Sequence, residues 1–187
     1  MTVAWIALAS SIVPLLLVVW AVVAYNGLVR LRTQLQASWA QIDVQLKRRH
    51  SLIPNLVETV RGYAAHERDT LEAVTAARRT AEHPATGVAS RAAAENALTG
   101  ALGRLIAVAE AHPQLAASAS FRDLQEQLAG TEDKIAYARQ FYNLAVQGYN
   151  GAVASVPTNV VAAATGHRPE QYFEAAGDER QDVHVTF

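Results

Sequence analysis

Histidine and carboxylate side chains carry most metal and acid–base chemistry. This 187-residue chain has six histidines, His50, His66, His83, His112, His167 and His184, and 17 acidic residues. Glu58, Glu67, Glu95, Glu110 and Glu132 are spaced so that carboxylates could face one another across helices, as in di-iron bundle proteins. Those centres also need Glu-x-x-His on two helices, and no Glu-x-x-His occurs here. Nor does His-Glu-x-x-His, and His66-Glu67 is only a dipeptide. The absence of cysteine removes disulfides, thiol catalysis and thiolate-bound metal. No glycine-rich phosphate loop follows a strand, and no nucleophile elbow is present. The sequence therefore predicts no catalytic residue, no metal site and no cofactor.

The polar residues that stand out are interleaved with apolar ones in "QIDVQLKRRHSLIPNLVETV", Gln41 to Val60. Gln41, Asp43, Arg48, Arg49, His50, Asn55 and Glu58 alternate there with Ile42, Leu46, Ile53 and Val57. With Glu132 and Arg139 they are too many to bury unpaired, since each orphaned group is costly. A charged, hydrogen-bonded seam follows, either a register-setting network within one molecule or an interface between copies. "KRRH" reads most simply as a solvated helix end, where cations favour the helix dipole; a docking patch for an acidic partner is the sharper alternative. A local repeat adds Tyr142, Asn143, Tyr149 and Asn150: "YNGLV" starts at Tyr25, "YNLAV" at Tyr142 and "YNGAV" at Tyr149. Tyr142 and Tyr149 share a helix face and read as a packed tyrosine ladder whose hydroxyls find partners.

These residues must be positioned by helices. Ala, Leu, Val, Gln, Glu and Arg dominate, and no strand pattern appears. Net charge is −1, which lacks the basic footprint of a nucleic-acid binder. No charged side chain occurs from Met1 to Val29, and Val3 to Ala24 is an almost unbroken apolar run. At about 1.5 Å per residue it can cross a bilayer core of about 30 Å. Trp5 at one end, Trp20 and Tyr25 at the other, and then Arg30 and Arg32, fit a membrane interface. A cleaved signal peptide ending at Val22-Val23-Ala24 is the rival reading, but no Lys or Arg precedes the run and the run is long.

Leu28, Leu31, Leu35, Trp39, Ile42 and Leu46 form a helical seam. Pro54 in "RRHSLIPN" predicts a turn near His50, with Ser51 capping a second helix that runs to about Thr80; a kinked continuous helix is the alternative. A third helix is predicted from Ser90 to about His112. A fourth starts at Ser120, where Asp123 completes a capping box, and ends at Pro157. "TNVVAAATG" predicts a short helix capped by Thr158 and stopped by Gly166, and the end reads as a polar tail. The expected fold is all-α: an N-terminal transmembrane helix followed by an antiparallel up-down four-helix bundle. The expected domains are an anchor at residues 1–26, a bundle at 27–156 and a short helix with tail at 157–187. Helix parity returns the segment from Pro157 to Phe173 to the membrane end, where it docks at the membrane surface or against the membrane-proximal end of the bundle, or stays disordered.

"YNGLVRLRTQLQASWAQIDVQLKRRHSLIPNLVETVRGYAAHERDTLEAV" resembles the first conserved block of the LemA family, and "FRDLQEQLAGTEDKIAYARQFYNLAVQGYN" resembles its second. "YFE" at Tyr172 to Glu174 is similar to its C-terminal motif. Ser51 stands where Asp is common, and His167 where an aromatic is common, which would loosen the tail. The resemblance implies a bacterial inner-membrane protein with one span, a cytoplasmic bundle and no established enzyme activity. In some bacteria LemA-type proteins are encoded beside membrane metalloproteases of the HtpX type, which suggests a stress or quality-control setting. The expected function is a membrane-anchored, non-enzymatic scaffold that self-associates, with the lipid bilayer and its own copies as partners and no nucleic acid. An accessory subunit of such a protease or of a sensor is the alternative. Orientation follows from Arg30 and Arg32: by the positive-inside rule the N-terminus lies outside and the bundle in the cytoplasm. A cytoplasm-active reporter fused after Phe187 is expected to work, and one active only in the periplasm is expected to be silent; the reverse pattern overturns this orientation.

Overall fold

A computed structural model describes residues 2–173, with the backbone only for residues 2–11. Trp5 lies outside the described side chains, and the polar tail with Glu174 lies outside the described residues. The described chain is all-α: α1 (Thr2–Arg61), α2 (Arg68–Glu82), α3 (Val88–Glu110), α4 (Pro113–Ala116), α5 (Ala119–Ala154) and α6 (Thr158–Ala164). It forms two compact units. One comprises the chain up to Trp39 with Phe141–Glu170; the other comprises Ala40–Gln140 and the described residues after Glu170. Helices α1 and α5 lend residues to both.

In the first unit, α1 begins as one helix long and apolar enough to cross a membrane. Ile12, Val13, Leu15 to Val19, Val22 and Val23 are all exposed, an apolar surface that only lipid or another protein could cover. Beyond it, α5 runs antiparallel to α1: Tyr142 packs on Trp39 with ring centroids 5.3 Å apart, and ten residues later Ala152 and Val153 reach Leu28. Val161 and Ala162 of α6 are buried in the same cluster, beside Ala21 and Ala24. Helix α6 thus packs on the part of α1 next to the apolar stretch.

In the second unit the apolar stripes converge as their periodicity requires. Ile53, Leu56, Val57 and Val60 of α1 meet Leu71 and Val74 of α2, Leu98 and Leu105 of α3, and Phe121, Leu124 and Leu128 of α5. Each large side chain buried this fully contributes about 1.5–3 kcal/mol. Asp43 contacts Arg91 while Arg49 contacts Glu95 and Thr99, so α1 and α3 run the same way. Arg78, near the end of α2, returns alongside His50, so α2 runs oppositely. With α5 opposed to α1, the long helices alternate as an up-down bundle does.

The predicted turn at His50 is not there. Helix α1 continues through Pro54 to Arg61, and the break falls at residues 62–67. The reason is local. Proline lacks the N–H that would bond the carbonyl four residues earlier, which is that of His50. Arg78 supplies the missing donor: its Nε–H donates to the His50 carbonyl oxygen at 3.1 Å, while another nitrogen of the same guanidinium binds Glu82 at 2.7 Å. A tertiary hydrogen bond replaces the helical one, so the helix need not end. The predicted caps also shift. Helix α3 starts at Val88 after Gly87, whose φ of 109° suits glycine, and α5 starts at Ala119, ahead of Ser120. Thr158 is the first residue of α6 rather than its cap.

Arg78→Met is expected to cost about 1–3 kcal/mol, because it orphans a buried carbonyl. Pro54→Ala restores the local donor, so in that background Arg78→Met should cost clearly less. A double-mutant cycle by chemical denaturation measures the difference; equal costs in both backgrounds would contradict this account of Pro54.

Candidate functional site

Arg49 projects from α1 into the interior of the second unit and is 1% exposed. Its Nη2–H donates to the Glu95 carboxylate of α3 and, at 3.5 Å, to the Glu95 backbone carbonyl. Its Nη1–H donates to Thr99 Oγ1 at 3.1 Å and to Glu132 of α5 at 2.5 Å. His50, also buried, donates from Nε2 to the other Glu95 oxygen at 3.0 Å. Burial pushes the Glu95 carboxyl up, but the His50 hydrogen bond and the Arg49 guanidinium outweigh burial and hold it below its ordinary value of 4.5. Glu95 is fully buried whereas the Glu132 side chain is 41% exposed, so the cluster runs from the interior to the surface. There it borders a cavity of about 280 Å³ between α3 and α5, with apolar walls that include Leu102, Ile106 and Leu128, and a polar edge of Thr99, Gln125 and Glu132.

Asp43 forms a second ionic group, with Lys47 at 2.7 Å and Arg91 at 2.5 Å. The Lys47 hydrogen bond, more than Arg91, keeps its carboxyl below the usual value against the effect of burial. Arg139 of α5 stacks over Phe173, its guanidinium carbon 4.8 Å from the ring centroid.

In the first unit a different polar group gathers. Helix α6 ends with the His167 N–H donating to the Ala162 carbonyl and the Gly166 N–H to that of Ala163, with Gly166 at φ 74°. That reversal is a Schellman motif, and it turns His167 back onto α5. There the Tyr149 hydroxyl bonds His167 Nδ1 at 3.0 Å, and Tyr25 meets the imidazole edge-on at 6.1 Å. Burial raises the Tyr149 hydroxyl pKa, and burial with the nearby Glu170 pushes that of Tyr142 up to about 12. Asn150 pairs with the Glu170 backbone twice, at 2.9 and 2.8 Å. His167 itself is buried and hydrogen-bonded.

The residues singled out in the sequence therefore divide. Arg49, His50 and Glu132 meet in one network, and Asp43 and Arg139 have partners elsewhere in the second unit. Gln41, Arg48, Asn55 and Glu58 are exposed, and Glu58 pairs with Arg61 one turn away. Tyr142 and Tyr149 are buried, while Asn143 and Asn150 are half-buried. Trp20, Tyr25, Arg30 and Arg32 lie exposed on α1. Thr99, Arg91 and Arg78 were not singled out, and Glu95 was noted only as one of several carboxylates. Its position was readable: it lies three residues before Leu98, on the stripe that continues through Leu102, Leu105 and Ala109, where a carboxylate cannot stay unpaired.

Residues 38–187 match the family model described as the LemA family. Among characterised proteins, the chain is 29% identical to magnetosome protein MamQ 2 of Paramagnetospirillum magneticum, across 82% of this chain and 66% of that protein. It is 27% identical to magnetosome protein MamQ of Magnetospirillum gryphiswaldense over the same shares. It is 25% identical to Protein LemA of Metamycoplasma hominis, across 86% of this chain and 74% of that protein. The chain thus spans just under two thirds of the length of the magnetosome relatives. The matched region contains the whole Arg49 network.

Because the folded Glu95 pKa is depressed, its contribution to stability is present above pH 4.5 and disappears as pH falls through the folded value. Arg49→Met is expected to destabilise by about 3–5 kcal/mol by stranding that carboxylate. Adding Glu95→Gln to Arg49→Met should recover part of the loss and flatten the acid limb of a stability–pH profile. An unchanged acid limb would remove Glu95 from this role.

Proposed function

On the premise that the chain belongs to the LemA family, we propose that it is a non-enzymatic, membrane-anchored scaffold that self-associates and helps organise a bacterial inner membrane. The carrying observation is α1. One unbroken helix supplies an exposed apolar stretch at Ile12 to Val23 and, further along, the buried residues Ile42, Leu46, Ile53 and Val60. A membrane-associated helical protein follows from that surface together with the family. The absence of an established activity for the family supports a structural role, and relatives that are magnetosome proteins fit membrane organisation. In this reading the buried charges set helix register, and the exposed residues of α1 and α5 remain for partners. Tethering in two dimensions raises the effective concentration, so modest contacts between copies suffice. The N-terminus lies outside and the bundle in the cytoplasm.

The chain has no cysteine, so crosslinking from engineered cysteines reports only designed positions. Single cysteines along Leu31 to Leu46, on each helix face in turn, are expected to give dimers or higher species on one face in native membranes. Monomers from every position would overturn self-association through α1. Release of the protein by alkaline carbonate would overturn the anchor itself.

A further inference from the structure

The first unit contains an apolar cavity of about 520 Å³. One wall is the span region of α1, with Leu17, Trp20 and Tyr25; the other is α6, with Val160, Ala164 and Thr165. Burial of Val161 and Ala162 against Leu28, Ala21 and Ala24 fixes α6 there. The exposed residues of α6 are themselves apolar. Val160 is 67% exposed and Val156, just before the helix, is 82% exposed. No charged residue occurs from Ser155 to Gly166. A helix with an apolar inner face, an apolar outer face and no charge is suited to lipid rather than water. The cavity is continuous with the exposed apolar surface at Ile12 to Val23, so its natural occupant is hydrocarbon from the same bilayer.

The charges of this unit are mostly positive. In the two segments that build the unit, Arg30, Arg32 and Arg168 face Glu170 alone, a net of +2, which leaves −3 for the rest of a chain whose total is −1. All three arginines are exposed. Arg168 directly follows His167, which the Tyr149 hydroxyl bonds at 3.0 Å, and Arg168 and Arg32 are near enough to Tyr149 to act on that hydroxyl electrostatically. Arg32 and Arg168 therefore lie near Tyr149, whose partner His167 meets Tyr25, a residue of the groove wall. That is the order of a phospholipid: hydrocarbon along the span, phosphate among guanidinium groups.

We propose that the groove between α1 and α6 holds an acyl chain of an anionic phospholipid whose headgroup is bound by Arg32 and Arg168. The site rests on the reading of α1 as a membrane span, and it adds a lipid preference to what that reading treats as a plain anchor. Helix α6 is then the element that converts a bare span into a two-walled lipid site.

Trp20 lines the groove and serves as the probe once Trp5 and Trp39 are changed to Phe. The full chain is placed in nanodiscs of phosphatidylcholine containing a small, equal fraction of either phosphatidylglycerol or phosphatidylcholine brominated on the acyl chain. The brominated phosphatidylglycerol is expected to quench Trp20 more strongly, with an enrichment on the order of tenfold from two arginines. Arg32→Gln with Arg168→Gln should equalise the two lipids, and Ala164→Phe, which fills the groove, should lower quenching with helicity unchanged by circular dichroism. Equal quenching by both lipids in the unmutated groove overturns the site and leaves the anchor standing. A preference that survives both arginine changes also overturns it. Quenching by neither lipid overturns the anchor reading itself.

Discussion

Arg49 carries a full positive charge into the bundle interior, and the helices around it are constrained by that one fact. A guanidinium removed from water is tolerable only with ionised partners and hydrogen bonds in place. Here α3 provides Glu95 and Thr99, and α5 provides Glu132. Glu95 in turn takes His50, one residue along α1. Three helices are thus tied through a single side chain.

The apolar core supplies most of the stabilisation but little of the precision. Leucine, valine and alanine stripes on α1, α3 and α5 would still bury area if one helix slipped by a turn. A slip of about 5.4 Å would separate Arg49 from Glu95 and leave two buried charges unpaired. The ionic cluster therefore discriminates among registers that the core alone would accept, a use of buried charge attested in other helical assemblies. The outer end of the cluster is less demanding, because Glu132 is partly solvated and water can share its charge.

Much of the helix pattern was legible because helical periodicity and an uncharged apolar run are strong signals. Leu98, Leu105, Leu124 and Ile135 lie inside as their spacing indicates. The misreadings came from judging residues by their own neighbours in sequence. Pro54 argued for a turn because its missing donor was counted and the donor on Arg78, 24 residues later, was not visible. Asn55 and Arg48 looked like members of a seam, yet they face solvent, since residue type does not tell which side of a helix is covered. His167 seemed a weak substitute for an aromatic until the turn after α6 aimed it at Tyr149. The partners of Arg49 lie 46 and 83 residues away, a pairing that spacing within one helix cannot announce.

The bond from Arg78 to the His50 carbonyl ends on a main-chain oxygen rather than on a side chain. Position 50 is thereby split into two independent functions: its imidazole serves Glu95, and its carbonyl serves α2. Evolution can exchange the imidazole without releasing α2, because every amino acid brings the same carbonyl. Pro54 depends on Arg78, the one creating the vacancy in the helix and the other filling it. A proline in mid-helix then behaves as a keyhole cut into the backbone, and the identity of the key is recorded on a different helix.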